Sequence, residues 1–192
     1  MKKLLTRIAV VALIATVALG IGYKSTSQEV LLSLAITFGT VSYHLIMRLL
    51  VGLMFDMFMK NRADCRKRWY QISQREMSLY RRLKVQRWKG KMPTYESELF
   101  DPKTHSWAEI AQAMCQAELV HETIVLLSFL PILAGIRFGA YPLFIITSVL
   151  AAMVDMMFVI IQRYNRPRIL RLTEKFSKRT QISACSDRQS DV

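Results

Sequence analysis

The chain has 192 residues, 52% of them apolar and 21% charged, with a mean hydropathy of +0.21. Its 27 Lys and Arg against 14 Asp and Glu give a net charge of +13. This balance excludes a disordered chain, and 7 Gly with 5 Pro exclude collagen-like and Pro-rich classes.

A small, apolar and basic chain is either a nucleic-acid binder or a membrane protein with basic cytoplasmic segments. The apolar residues decide for the membrane, because they stand in blocks rather than interleaved with polar ones. The basic residues flank those blocks instead of decorating a soluble fold, so no nucleic-acid partner is expected. No internal repeat is present. The cysteines, Cys65, Cys115 and Cys185, are odd in number and form no C-x-x-C pair. That spacing fits neither a disulfide framework nor a zinc site, so reduced, cytosol-facing thiols and no metal or cofactor are expected.

Met1 to Arg7 is short and basic, and Ile8 to Tyr23 continues without a charge. A signal peptide has this layout, with Ala18-Leu19-Gly20 as a cleavage site. A first transmembrane helix over 4–23, with Arg7 snorkelling, fits the membrane character of the later segments and is preferred. After the polar turn at 24–29, Val30 to Met59 exceeds a bilayer core in length and contains His44, Arg48 and Asp56. It reads as one span over about 30–56. From Lys60 to Lys91 the chain is strongly basic, and Trp69, Ile72, Leu79, Tyr80 and Leu83 recur at helical spacing. This predicts a basic amphipathic helix on the membrane surface, ended by Pro93, with a polar loop beyond it. Ser106 and Glu109 form a capping box opening the next helix. Its apolar part over 119–136 is the third span, and Gly135, Arg137 and Gly139 mark a tight turn. The fourth span, 138–161, contains Asp155. A basic segment comes next, and the tail from Ser177 reads as disordered.

Orientation is set by the basic residues. The N-terminus carries 3 of them, the 60–117 loop 13 and the 162–192 segment 8, while the two outer turns carry only Lys24 and Arg137. Residues 1–192 are therefore expected to form a single all-α membrane domain of four transmembrane helices. Its home is the inner (plasma) membrane, with both termini, the loop and the basic tail cytoplasmic.

Four polar groups carry candidate chemistry. Antiparallel third and fourth spans bring Glu118 and His121 to the depth of the segment from Gln162 to Arg168. Glu118 and His121 are spaced i, i+3 and share a helix face. A carboxylate beside an imidazole can make a general base, although both residues also suit a headgroup interface. Glu122 points about 100° away from His121. Gln162-Arg163-Tyr164-Asn165-Arg166-Pro167-Arg168 packs arginine forks that match phosphate, or else form an ordinary positive-inside flank. Arg87-Trp88-Lys89 is either a ligand contact or an interfacial anchor. Intramembrane His44, Arg48 and Asp155 either line a polar pocket or pair with one another.

Three segments together resemble the glycosyl-4,4'-diaponeurosporenoate acyltransferase family. They are Val85-Gln86-Arg87-Trp88-Lys89-Gly90-Lys91, Ala117-Glu118-Leu119-Val120-His121, and Ile160-Ile161-Gln162-Arg163-Tyr164-Asn165-Arg166-Pro167-Arg168. The resemblance covers roughly residues 82–171, and the last motif is the most specific. Where the family pattern has an aromatic after the histidine, this chain has Glu122.

The resemblance implies transfer of a fatty acyl group to a sugar hydroxyl of a glycolipid. It implies catalytic roles for His121 and Glu118. It assigns substrate binding to Arg87, Trp88 and Lys89, and to Gln162, Arg163, Tyr164, Asn165, Arg166 and Arg168. The implied partners are a glycolipid acceptor, membrane lipids and an acyl donor, whether acyl-coenzyme A, acyl carrier protein or phospholipid. The alternative is a non-enzymatic lipid-binding partner or subunit of a membrane complex.

Overall fold

A computed structural model describes the backbone of residues 2–88 and 97–190 and the side chains of residues 3–87 and 99–176. All regular structure among the described residues is helical. The helices are α1 (Lys2–Thr26), α2 (Glu29–Met59), α3 (Gln74–Arg82), α4 (Val85–Trp88), α5 (Trp107–Leu127), α6 (Pro131–Phe138) and α7 (Tyr141–Ser190). Among the described residues, four segments are long and apolar enough to cross a membrane: Lys3–Thr26, Glu29–Met59, Trp107–Phe138 and Tyr141–Phe176. The protein is thus all-α and membrane-like, as its apolar blocks require.

Three local features depart from expectation. The basic stretch from Lys60 is not one helix. It breaks at Lys60 and Asn61, which are left-handed, forms a 3-10 turn at Arg68–Tyr70, and breaks again at left-handed Lys84 between α3 and α4. Short polar side chains cause part of this by bonding the local backbone. Asp64 accepts from the Arg66 N–H at 3.0 Å, and Ser73 caps α3 by accepting from the Glu76 N–H at 3.1 Å. Pro93, the expected terminator, lies outside the described residues. The third apolar segment is also interrupted: α5 stops at Leu127, and Pro131 opens α6, where its missing N–H costs nothing. Finally, the tail expected to be disordered continues α7 to Ser190. Adding residues to a nucleated helix fixes few dihedrals per bond gained, and the tail's Lys, Arg and Gln are good helix formers. Pro167 removes one backbone bond without ending the helix.

The capping box at the start of α5 forms as the sequence predicts. The Glu109 carboxylate accepts from the Ser106 N–H at 2.8 Å, and Ser106 Oγ accepts from the Glu109 N–H at 3.3 Å.

The chain makes two compact units: Met1–Phe58 with Leu119–Phe158, and Met59–Glu118 with Val159–Val192. In the first unit, α1 meets α2 through small residues. Ala9 and Ala12 are buried on one helix, and Ala35 and Ser42 on the other. Ser42 Oγ donates to the Ala9 carbonyl at 3.4 Å. Small side chains allow the close approach that membrane helices need. Between α2 and α5, Met47, Val51 and Ile124 form a core joined by Tyr43, Phe55, Val120 and Leu127. Tyr43 donates to the Leu127 carbonyl at 2.8 Å. Position 43 pairing with 127 while 51 packs near 120 and 124 makes the two helices antiparallel. Large apolar side chains such as Ile14, Leu126, Ile136 and Leu150 stay exposed, as a lipid-facing surface requires.

The α6–α7 turn explains two glycines. Gly139 ends α6 at φ 69°, a left-handed conformation that glycine adopts without strain. A Cβ at Gly135 would lie 2.6 Å from the Tyr141 ring. Gly135→Ala is expected to push that ring aside and destabilise the protein by about 1–3 kcal/mol, visible as a lowered Tm of the purified protein. An unchanged Tm would mean that the ring moves freely.

In the second unit, Val85, Ile110, Ala111, Met114 and Cys115 are buried, and Trp107 stacks on Phe176 at 6.3 Å. The Asn61 N–H donates to Gln116 Oε1 at 2.7 Å. The Cys115 thiol donates to the Cys65 sulfur at 2.8 Å and holds the Cys65 thiol below its usual range.

Candidate functional site

Among the described residues, each unit carries a buried cluster of charged side chains. In the second unit the cluster centres on Glu118, whose side chain is 0% exposed. Arg163 Nη1 donates to Glu118 Oε1 at 2.5 Å, and Arg166 Nη1 donates to Oε2. Arg163 also forks onto Glu76, its Nε at 2.6 Å and Nη2 at 3.2 Å, and reaches the Trp69 carbonyl at 3.2 Å. Arg166 donates to the Tyr70 carbonyl and lies 5.1 Å from the centroid of the Tyr70 ring. Positions 163 and 166 share a face of α7, which is why one carboxylate can hold both.

The surroundings of this cluster are correspondingly perturbed. Burial raises the Glu76 carboxyl, but hydrogen bonds from Arg163 and Tyr80 and the charge of Arg163 outweigh it and leave it below the usual range. Burial pushes the Tyr70 phenol up to about 12, and burial with the Glu76 bond raises Tyr80 as well.

The expected orienting role of Glu118 therefore looks different in the structure. Both its oxygens are occupied by arginines, and the two arginines expected to bind phosphate are occupied by carboxylates and carbonyls. Of the other expected contacts, Arg87 and Arg168 are exposed, while Gln162, Tyr164 and Asn165 are half-buried. Lys89 and the side chain of Trp88 lie outside the described residues.

In the first unit, the carboxylate on His121 is that of Asp155. His121 Nδ1 stands 2.9 Å from Asp155 Oδ1, and Arg48 Nη2 donates to Asp155 Oδ2. Arg48 Nη2 also lies 3.4 Å from the Ala151 carbonyl. Asp155 is 2% exposed, paired on both oxygens as a buried charge must be. The His121 side chain is 21% exposed, and its ring stacks on Phe158 at 4.6 Å with an interplanar angle of 11°. An ionised Asp155 assigns the proton to Nδ1, leaving Nε2 with its lone pair. This is the carboxylate–imidazole arrangement that serves general-base catalysis on unrelated folds. His44 is buried one turn before Arg48 and meets the Tyr43 ring edge-on at 5.5 Å.

Sequence reasoning flagged Asp155 and Arg48 without linking them to His121. The signal was present: a hairpin closing at Gly139 puts position 121 level with 155–158. No group of three or more His, Cys, Asp or Glu with metal-holding geometry occurs among the described residues.

Comparison with known proteins gives one finding. A family model described as glycosyl-4,4'-diaponeurosporenoate acyltransferase matches residues 66–175, more than half of the chain. No curated protein and no solved structure matches. The matched region contains Glu118, His121, Asp155, Arg163 and Arg166, whereas Arg48 lies before it. The motifs around residues 87, 121 and 163, the four apolar helices and this match converge: the chain belongs to the glycosyl-4,4'-diaponeurosporenoate acyltransferase family.

Proposed function

We propose that this protein is a membrane O-acyltransferase that moves a fatty acyl group onto a sugar hydroxyl of a glycolipid at the cytoplasmic leaflet. The observation that carries the reading is the hydrogen bond between His121 Nδ1 and the buried Asp155 carboxylate. His121 Nε2 takes the proton of the acceptor hydroxyl, and the oxygen attacks the acyl carbonyl. The tetrahedral intermediate collapses and expels the donor's leaving group, a thiolate for an acyl thioester. His121 returns the proton to it. Asp155 fixes the tautomer and stabilises the imidazolium formed on the way. Arg48 holds the Asp155 carboxylate in place.

In this reading Glu118, Arg163 and Arg166 are positioning residues that hold α7 to α5 within their own unit. Exposed Arg168 and Arg87, with Lys89, are the candidate contacts for phosphates of the donor or of lipid headgroups. Both termini are cytoplasmic, from the excess of Lys and Arg in 60–117 and 162–192. The family name supports a glycosylated lipid as acceptor and an acyl donor as co-substrate. It leaves open acyl-coenzyme A, acyl carrier protein or phospholipid.

The test is mass spectrometry of membrane lipids from cells with and without the protein. An acylated glycolipid present only with the protein is expected, and its mass gives acceptor and chain together. An unchanged lipidome, with the protein demonstrably in the membrane, would favour a lipid-binding partner that performs no transfer.

A further inference from the structure

The second unit holds two thiols in direct contact. Cys65 lies on the segment that follows left-handed Lys60 and Asn61, and Cys115 lies on α5, 50 residues further on. Neither is bridged. Their sulfurs stand 2.8 Å apart, with the Cys115 S–H directed at Cys65. A disulfide needs about 2.0 Å, so the sulfurs have to close by only about 0.8 Å.

The segment carrying Cys65 is docked on α5 by bonds on either side of it. The Asn61 N–H donates to Gln116 Oε1 at 2.7 Å, beside Cys115. The Tyr70 carbonyl accepts from Arg166, which also holds Glu118, one turn after Cys115 on α5. The two stretches that a bridge must join are therefore already held together.

The two thiols also differ as an attacking and a resolving cysteine differ. Cys65 is half-buried, whereas Cys115 is 0% exposed. The hydrogen bond from Cys115 and the charge of Arg166 favour the Cys65 thiolate and outweigh its burial and the charge of Asp64. The thiolate is the form that oxidants attack, and a neighbouring thiol diverts the sulfenic acid into a disulfide. Half-burial admits a small uncharged oxidant more readily than a large one.

We propose that Cys65 and Cys115 are an oxidation site for hydrogen peroxide, joined by it into a reversible disulfide. The Cys65 thiolate attacks one peroxide oxygen, the O–O bond breaks, and a sulfenic acid and hydroxide result. The hydroxide recovers the proton that Cys65 gave up. The Cys115 sulfur then attacks the Cys65 sulfur. The S–S bond forms, the S–O bond breaks, and the sulfenic oxygen leaves as water with the Cys115 proton. Two thiols have lost two electrons and two protons, and one peroxide has become two waters. Thiols of a reducing compartment reverse the bond by exchange, so the resting state is the dithiol. The bond pins the 61–70 segment to α5 and closes a long loop, which is expected to raise the Tm by about 10 °C.

The full-length protein carrying Cys185→Ser, so that this pair alone remains, is reconstituted in phosphatidylglycerol–phosphatidylethanolamine vesicles. It is treated with hydrogen peroxide, alkylated and digested without reductant. The expected product is a peptide containing Cys65 joined to one containing Cys115, lighter than their sum by two hydrogens and separated by dithiothreitol. The Tm should rise on oxidation and return on reduction. Cys115→Ala should stop at the Cys65 sulfenic acid, trapped by dimedone, of which the parent yields only traces. Cys65→Ser should leave Cys115 unoxidised.

Thiols that both stay reduced in the folded protein overturn the assignment. So does a Cys65 that passes to sulfinic acid without a bridge, or a bridge found between two chains. A bridge that lowers the Tm overturns it too, because the native geometry then does not accommodate the bond. The bridge in the parent is read without either single-cysteine variant, so a variant that fails to fold does not hide the answer.

Discussion

Replacing His121 with alanine is expected to lower acyl transfer by about two to four orders of magnitude, the usual worth of a positioned general base. The protein should still insert and fold. The ring is partly exposed and its main packing partner is Phe158, so its loss removes little buried area. Product would be counted by mass spectrometry and folding by the Tm of the purified protein. Asp155→Asn is the companion. Its amide oxygen can still accept from Arg48, but its NH2 facing His121 favours a proton on Nε2 and so removes the base. A comparable loss of activity is expected although the imidazole remains. Wild-type turnover in His121→Ala would remove His121 from the chemistry. Wild-type turnover in Asp155→Asn alone would keep His121 but deprive Asp155 of its role.

Much of this protein is legible in its sequence, and what is not has a common cause. Apolar runs located the four helices because the membrane imposes a length and forbids most charges within it. The Ser106–Glu109 capping box was legible because both partners lie within one turn. Residues 118, 121, 163 and 166 stood out as polar groups at the ends of apolar helices. What the sequence could not tell was which of them bond. Spacing i, i+3 made Glu118 and His121 neighbours on one helix, yet each found a stronger partner on α7, Glu118 a pair of arginines and His121 a carboxylate. Local spacing gives opportunity; tertiary register decides which opportunity is used. The basic segment from Lys60 failed differently. Its apolar period was real, but Asp64 and Ser73 offered the backbone nearer hydrogen-bond partners than a continuous helix would.

Glu118→Ala is expected to destabilise the protein by about 3–5 kcal/mol, the usual cost of leaving a buried charge without its partner. Glu118 is 0% and Arg166 1% exposed, so water cannot take over the missing bonds. The two arginines should suffer unequally. Arg163 keeps the Glu76 fork and is more exposed, whereas buried Arg166 keeps, among the described residues, the Tyr70 carbonyl and the Tyr70 ring. Glu118→Gln preserves volume but turns an NH2 towards one guanidinium, so it should fall between wild type and Ala. The expected reading is a Tm lowered by about 10 °C, taking roughly 2–4 °C per kcal/mol for a chain of this size. The paired change Glu118→Leu with Arg166→Met separates structure from chemistry. Replacing both members of a buried pair by apolar residues of similar volume is often neutral or stabilising, so the double variant should recover most of the Tm that Glu118→Ala loses. If it also recovers transfer, Glu118 acts by holding the unit together. If it recovers the Tm but not transfer, Glu118 or Arg166 takes part in the reaction beyond holding the unit together, and Glu118→Gln with Arg166 intact then separates the two.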